Sequence, residues 1–354
     1  MRKAFFYILL LIISGCIETF EPDFDLDTSI IVITGIITDL QPAQIEITKP
    51  SARNAKLRNV QRVSGATVIL YDDQGNQEQL YEKKAGYYEG ISNGIVGRKY
   101  HINVQLSDND IITSPPQLLS PSPSIDNLSL EQITGSKLFG KIKVELNGLD
   151  LNLDMNNSDT LARYYKWTIG GTYKRYSALD FNHLGPACYV TLPNHFYFAL
   201  GESVSNSANL LSKNLKFINP DGTYAEGHSV EVSQYALTKE AYDYWEKIED
   251  QQSNVGSVFD PPPAQIVGNL TYIDDQIPVL GFFEVSSVKK KRVFVRPTDF
   301  SELTKASPQF STSDINSQCF APFGWVGDWI PPVWCEDCSL ITGSTHTKPS
   351  YWPE

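Results

Sequence analysis

The sequence predicts a mainly β protein: a β-sandwich over about 28–120, then a larger, mostly β domain over 121–354 that carries one amphipathic helix. Three observations predict it. Short runs of β-branched and aromatic residues recur between Gly and Asp turns along the first 120 residues. The proline-rich stretch Thr113-Ser-Pro-Pro-Gln-Leu-Leu-Ser-Pro-Ser-Pro-Ser124 interrupts that pattern, because proline cannot donate to a strand ladder. Beyond it, 238–251 is the clear segment of helical period.

Ahead of these domains lies a leader. Arg2 and Lys3 precede Ala4 to Ile13, an unbroken apolar run. That run is too short to span a bilayer, which takes about 20 residues, and has the length of an export signal's hydrophobic region. Ile13-Ser14-Gly15-Cys16 follows at once, which is a bacterial lipobox. Residues 1–15 therefore read as a lipoprotein signal peptide and Cys16 as the lipidated residue. Lipid on Cys16 would hold the mature chain on a membrane without crossing it. Glu18, Glu21, Asp23, Asp25 and Asp27 make 16–27 an acidic tether.

Within the first domain, 30–39 is β-branched with a bulge at Gly35, and Gln44 to Thr48 alternates. Gly65 to Gly75 is a strand running into a polar turn, and Tyr87 to Glu89 and Tyr100 to Val104 are further strands. In the second domain, Leu149 to Met155 alternates strictly. A calcium loop would need a central Gly and a late Glu, so alternation is the better account. Tyr164 to Ile169 reads as an aromatic core strand. Thr238 is the expected N-cap of the helix, and Trp245 its packed anchor. The basic run Lys289 to Arg292 reads as a hairpin turn or solvated strand end, and the closing aromatics near Tyr351 and Trp352 are expected to tuck into the body.

Charge and cysteine usage narrow the function. Forty-one Asp and Glu against 29 Lys and Arg give a net charge of −12, which does not suit a nucleic-acid partner. Apart from Cys16, the cysteines are Cys188, Cys319, Cys335 and Cys338. An even number outside the cytoplasm points to disulfides, with three pairings open. Cys335 and Cys338 form one C-x-x-C, a weak zinc signal without a second such pair. The five histidines form no HExxH, and no G-x-S-x-G is present. No catalytic residue, metal or cofactor is expected. Trp325, Trp329 and Trp334, in a Gly/Pro-rich loop, are candidate contacts to a ligand or partner; the alternative is that they fill a small core beside the disulfides.

Taken in order, these pieces resemble a Bacteroidota lipoprotein family known as domain of unknown function 4249. The resemblance runs through the lipobox, the strand ending at Thr38-Asp39, Gly65 to Gly75, Gly86 to Tyr100 and Tyr164 to Trp167. It continues through Glu240 to Trp245, Phe259 to Asn269, Leu280 to Phe283, the C-x-x-C, and Gly343 to Trp352. Ser344 departs from the pattern, where members carry a second Gly. The resemblance implies an envelope lipoprotein, on the outer membrane, frequently encoded beside TonB-dependent receptors, with no catalytic residues to transfer. It also implies an Ig-like or transthyretin-like sandwich for the first domain. The expected function is a binding or accessory module of a TonB-dependent uptake system, partnered by the membrane and by such a receptor. The alternatives are a surface structural or adhesion lipoprotein, or a hydrolase.

Overall fold

The computed structural model describes residues 30–49, 61–107, 110–139, 142–156, 162–177, 185–192, 197–203, 210–218, 222–224, 226–253, 265–274, 278–300 and 333–353. The protein is mainly β. Leader, tether, Cys16, Cys319, Trp325, Trp329 and the 259–264 segment lie outside the described residues, as does the side chain of Trp334.

The chain begins with β1 (Val32–Ile37), β2 (Pro42–Lys49), β3 (Gln61–Arg62), β4 (Thr67–Asp72) and β5 (Gln77–Lys84). Next come β6 (Tyr87–Asn93), β7 (Lys99–Gln105), β8 (Ile111–Thr113) and β9 (Gln117–Leu118). Polar side chains set the turns between them. Thr38 Oγ1 accepts from the amides of Leu40 and Gln41 at 3.2 and 3.0 Å. Asp72 Oδ1 accepts from Gln74 and Asn76 at 2.8 and 2.9 Å, and Gly75 takes φ +82° in that turn, a conformation glycine adopts without Cβ strain.

The second part runs β10 (Ile125–Phe139), β11 (Ile142–Asn156), β12 (Tyr164–Arg175), β13 (Cys188–Leu192), β14 (Phe198–Glu202), β15 (Leu210–Ile218) and β16 (His228–Leu237). Helix α1 (Lys239–Ser253) follows, then β17 (Val267–Tyr272), β18 (Pro278–Leu280), β19 (Phe283–Val285), β20 (Ser287–Val295) and β21 (Ser344–Thr345). As expected, Thr238 Oγ1 caps α1 by accepting from the Ala241 amide at 3.2 Å.

Three sheets result. In the first, hydrogen bonding runs β1-β18-β17-β8-β7-β4-β5-β6-β2, and β2 pairs back with β1, so nine strands close into a barrel. The Ig-like or transthyretin-like sandwich expected for 28–120 is not confirmed by this connectivity. The chain leaves the barrel after β9 and returns to it at 267–285. The return is fixed by close backbone approach: a Cβ on Gly268 would lie 1.5 Å from the Gly281 carbonyl oxygen, and one on Gly281 2.0 Å from that of Ile33. Asn269 completes the joint, its side chain exchanging two 2.9 Å hydrogen bonds with the backbone of Phe283. The barrel is filled by aliphatic side chains such as Ile33, Ile45, Ile102 and Ile112.

The other two sheets, β10-β11-β15 and β20-β16-β12-β13-β21 with β14 beside β12, bury a common core. Leu149, Leu151, Leu153 and Met155 of β11 meet Tyr165 and Trp167 of β12 there. Outward on β11, Asp154 accepts from Ser212 Oγ at 2.6 Å and Asn127 Nδ2 at 3.2 Å. The run Lys289 to Arg292 lies within β20, an edge strand, rather than in a turn; lysines there block edge-to-edge association. The proline-rich stretch is tied down: Gln234 Nε2 donates to Ser122 Oγ and to the Pro123 carbonyl at 3.1 and 2.8 Å, while Gln234 Oε1 accepts from Trp167 Nε1 at 2.9 Å.

Candidate functional site

The site begins with alternation along β12. Tyr165 and Trp167 enter the core shared with β11, so Tyr164, Lys166 and Thr168 face the other way, toward α1 and the barrel. Lys166 therefore sits in an apolar strand yet points at an interface. Its Nζ meets Glu284 Oε2 of β19 at 2.5 Å, with side-chain exposures of 6% and 4%. The pair is charged, buried and drawn from opposite bodies of the fold.

Its surroundings explain how two charges are held away from water. Trp245 Nε1 of α1 donates to the same Glu284 oxygen at 2.7 Å, and Ser286 Oγ donates to the other at 2.9 Å. The Lys166 ammonium lies 3.9 Å from the Trp245 ring centroid and 4.9 Å from that of Tyr235, favourable cation–π placements. Burial pulls the lysine below its ordinary range, and the charge of Glu284 and its hydrogen bond oppose that pull. Burial also raises the Tyr235 phenol, reinforced by Glu284.

Around this cluster opens a cleft of about 710 Å³, within the usual size of small-molecule sites. The barrel supplies one wall with Thr34, Gln44 and Glu46 from β1 and β2, and Tyr87 from β6. The sheet supplies Thr168, Glu231 and Tyr235, while Phe198, Tyr244 and Trp245 overhang it. Phe198 meets Trp245 edge-on at 5.1 Å, and Tyr244 stacks on Phe282 at 4.8 Å. Each acidic wall residue has a cation: Glu46 pairs with Arg62 at 3.3 Å, and Glu231 with Arg292 and, at 3.4 Å, Lys290. Aromatic faces beside amides, hydroxyls and neutralised carboxylates can stack a polar ring and hydrogen-bond its edge.

The residues singled out from sequence fall elsewhere. Cys188 and Cys338 form a disulfide with Cα atoms 5.9 Å apart, and Cys335 is also disulfide-bonded. Cys188 and Cys338 with His346 are the group of possible metal ligands among the described residues, but two thiolates spent in a disulfide are not zinc ligands. Trp245 is the packed anchor expected and also lines the cleft. Tyr351 and Trp352 do tuck in: Tyr351 Oη lies 2.8 Å from Thr172 Oγ1, and Trp352 is edge-on to Tyr189 and Phe294. Lys166 and Glu284 were missed, although each is a lone charge within an apolar run, YYKWTI and GFFEV. Complementary charges so placed are the signal that would have found them, since a buried charge needs a partner.

The model of a family described as "Domain of unknown function (DUF4249)" matches residues 17–292. No curated protein matches.

Proposed function

The chain belongs to the DUF4249 family, and from that premise we propose that it is an outer-membrane lipoprotein, anchored through Cys16, that serves as the binding module of a TonB-dependent uptake system. The observation that carries the binding role is the cleft between barrel and sheet. It has aromatic walls and a floor fixed by the buried Lys166–Glu284 pair, a rigid pre-formed pocket. The lipobox supports the anchor, and among the described residues no helix is long and apolar enough to cross a membrane. An Ig-like or transthyretin-like sandwich over residues 28–120 is part of the same proposal; the antiparallel run β7-β4-β5-β6 supports it.

The test is co-purification from detergent-solubilised outer membrane. A TonB-dependent receptor is expected to come down with the lipoprotein, and Cys16→Ser is expected to leave the membrane fraction. Recovery of the lipoprotein alone would overturn the uptake role. A hydrolase reading has one observation in its favour, since Glu46 and Glu231 approach the cleft from opposite walls. Each of them, however, is engaged by a guanidinium, Glu46 by Arg62 and Glu231 by Arg292. Turnover of a bound ligand that disappears in Glu231→Gln would favour the hydrolase.

A further inference from the structure

We propose that a second depression, at the far end of the same sheet face, binds an anionic group carried on a small ring, such as a sugar acid or sugar phosphate. The register places it. Thr172 of β12 pairs with Ser229 of β16, which pairs with Phe294 of β20, and Lys174 pairs with Tyr189 of β13. Directly paired residues share a face, and Thr172 and Lys174 share the face of Lys166 by their even spacing along β12. Tyr189 here and Thr191 in the cleft are two residues apart on β13, a step of about 7 Å. The two depressions are therefore neighbours on one surface.

Their chemistry differs. The second depression encloses about 440 Å³, and its charged residues are Lys174, Arg296 and Lys348 against Glu226 alone. That surplus of positive charge stands on a chain of net charge −12, so it runs against the protein's general field. Among the described residues, neither the Arg296 guanidinium nor the Lys348 ammonium has a carboxylate partner. Lys174 stays cationic: burial disfavours its charge, but its hydrogen bond with Tyr176 and the nearby Glu226 carboxylate outweigh this and raise its pKa.

The floor is aromatic and held in place. Trp352 packs edge-on against Tyr189 at 5.0 Å and Phe294 at 4.9 Å. Gly227 opens the space beneath, since a Cβ there would stand 2.9 Å from Phe294 Cζ. Aromatic walls take the apolar face of a ring, while a guanidinium and ammoniums at the rim take the carboxylate or phosphate. A neutral ring would leave those cations unused, which gives the site its selectivity. The site shares no lining residue with the cleft and stands apart from the uptake reading.

The experiment is saturation-transfer NMR on the full-length protein in detergent micelles, with D-glucuronate, glucose 6-phosphate and glucose as probes. Transfer to one or both anions is expected in the low millimolar range, typical of a single small ring (on the order of 1 mM corresponds to about −4 kcal/mol). Glucose should show little. The relative signal of the two anions separates carboxylate from phosphate. Arg296→Gln with Lys348→Gln, both at exposed positions, should weaken the signal by about tenfold and flatten its salt dependence, whereas Lys99→Gln, an exposed charge on the barrel strand β7, should leave it unchanged. Absence of transfer to either anion, equal transfer to glucose, or a signal undiminished in the double variant would overturn the proposal.

Discussion

The barrel and the sheet face that packs against it are both buried, but they solve burial differently. Inside the barrel, most of the space is filled by aliphatic side chains such as Ile33, Ile45, Ile102 and Ile112, whose contacts have no direction. Where that face meets the barrel, Lys166, Glu284 and Ser286 are buried as well, and each has a specific hydrogen bond. An aliphatic core tolerates exchange provided volume is kept. A polar cluster does not, because a buried charge or amide without its partner is costly. The ligand-sized space lies on the polar side, where shape and hydrogen-bond direction are both fixed.

Removing one charge breaks the comparison most sharply. Lys166→Met leaves the Glu284 carboxylate buried without its counter-ion, and the expected loss is about 3–5 kcal/mol. Urea denaturation measures it. The double variant Lys166→Met with Glu284→Leu is expected to regain most of that loss, since apolar pairs often replace buried ion pairs at little cost. A double variant as unstable as the single one would show that the charges matter only through packing. In the barrel, Ile102→Ala, at a fully buried position, should cost about 2–5 kcal/mol through lost contacts and a residual cavity. A second truncation in the barrel, out of contact with Ile102, should simply add its own cost. Additivity in one region and strong coupling in the other is the expected pattern in a double-mutant cycle.

The next effect is smaller. The Cys188–Cys338 bond links β13 to a segment 150 residues later and stabilises by roughly 2–4 kcal/mol in the usual range. Cys188→Ala with Cys338→Ala should lower the unfolding midpoint accordingly. Hydrogen exchange should speed up first at β21, whose partner is β13, while the barrel amides stay protected. Uniform acceleration over both regions would mean that they unfold as one unit.

The same contrast explains what could be read from sequence. Alternation on 149–155, the aromatic strand at 164–169 and the Thr238 cap are local patterns, and all three appear as expected. Strand pairing is not local. The period-two pattern of 267–285 identifies strands but cannot say that they close a barrel begun at Val32. The Gly268–Gly281 approach, the Asn269 side chain and the parallel pairing of β18 and β19 with β1 make that joint specific. The candidate site was illegible for a related reason: Lys166 and Glu284 lie 118 residues apart, and each alone looks like an ordinary charged residue in a strand. Of the two readings open for the basic run at 289–292, the strand holds and the turn does not, because an edge strand can carry charge without a turn.

The smallest effect lies in the barrel's polar rim, and its sign follows from proton linkage. The Glu82 carboxylate accepts from the amides of Gly86 at 2.8 Å and Gly65 at 3.2 Å. The Gly86 hydrogen bond foremost, with burial opposing, holds it below the usual glutamate range. An acid whose folded pKa is depressed binds fewer protons folded than unfolded between the two values, so its stabilisation is complete above the unfolded pKa and is lost as pH falls through the folded one. Stability of the native chain should therefore fall from neutral pH toward pH ~3, beginning near the ordinary glutamate pKa of about 4.3. In Glu82→Gln, which keeps an acceptor but cannot titrate, that fall should be shallower. Urea midpoints at several pH values measure the difference. Parallel curves for the two proteins would mean that the rim hydrogen bonds hold the carboxylate no better than water does, and that the acid sensitivity belongs to the other carboxylates.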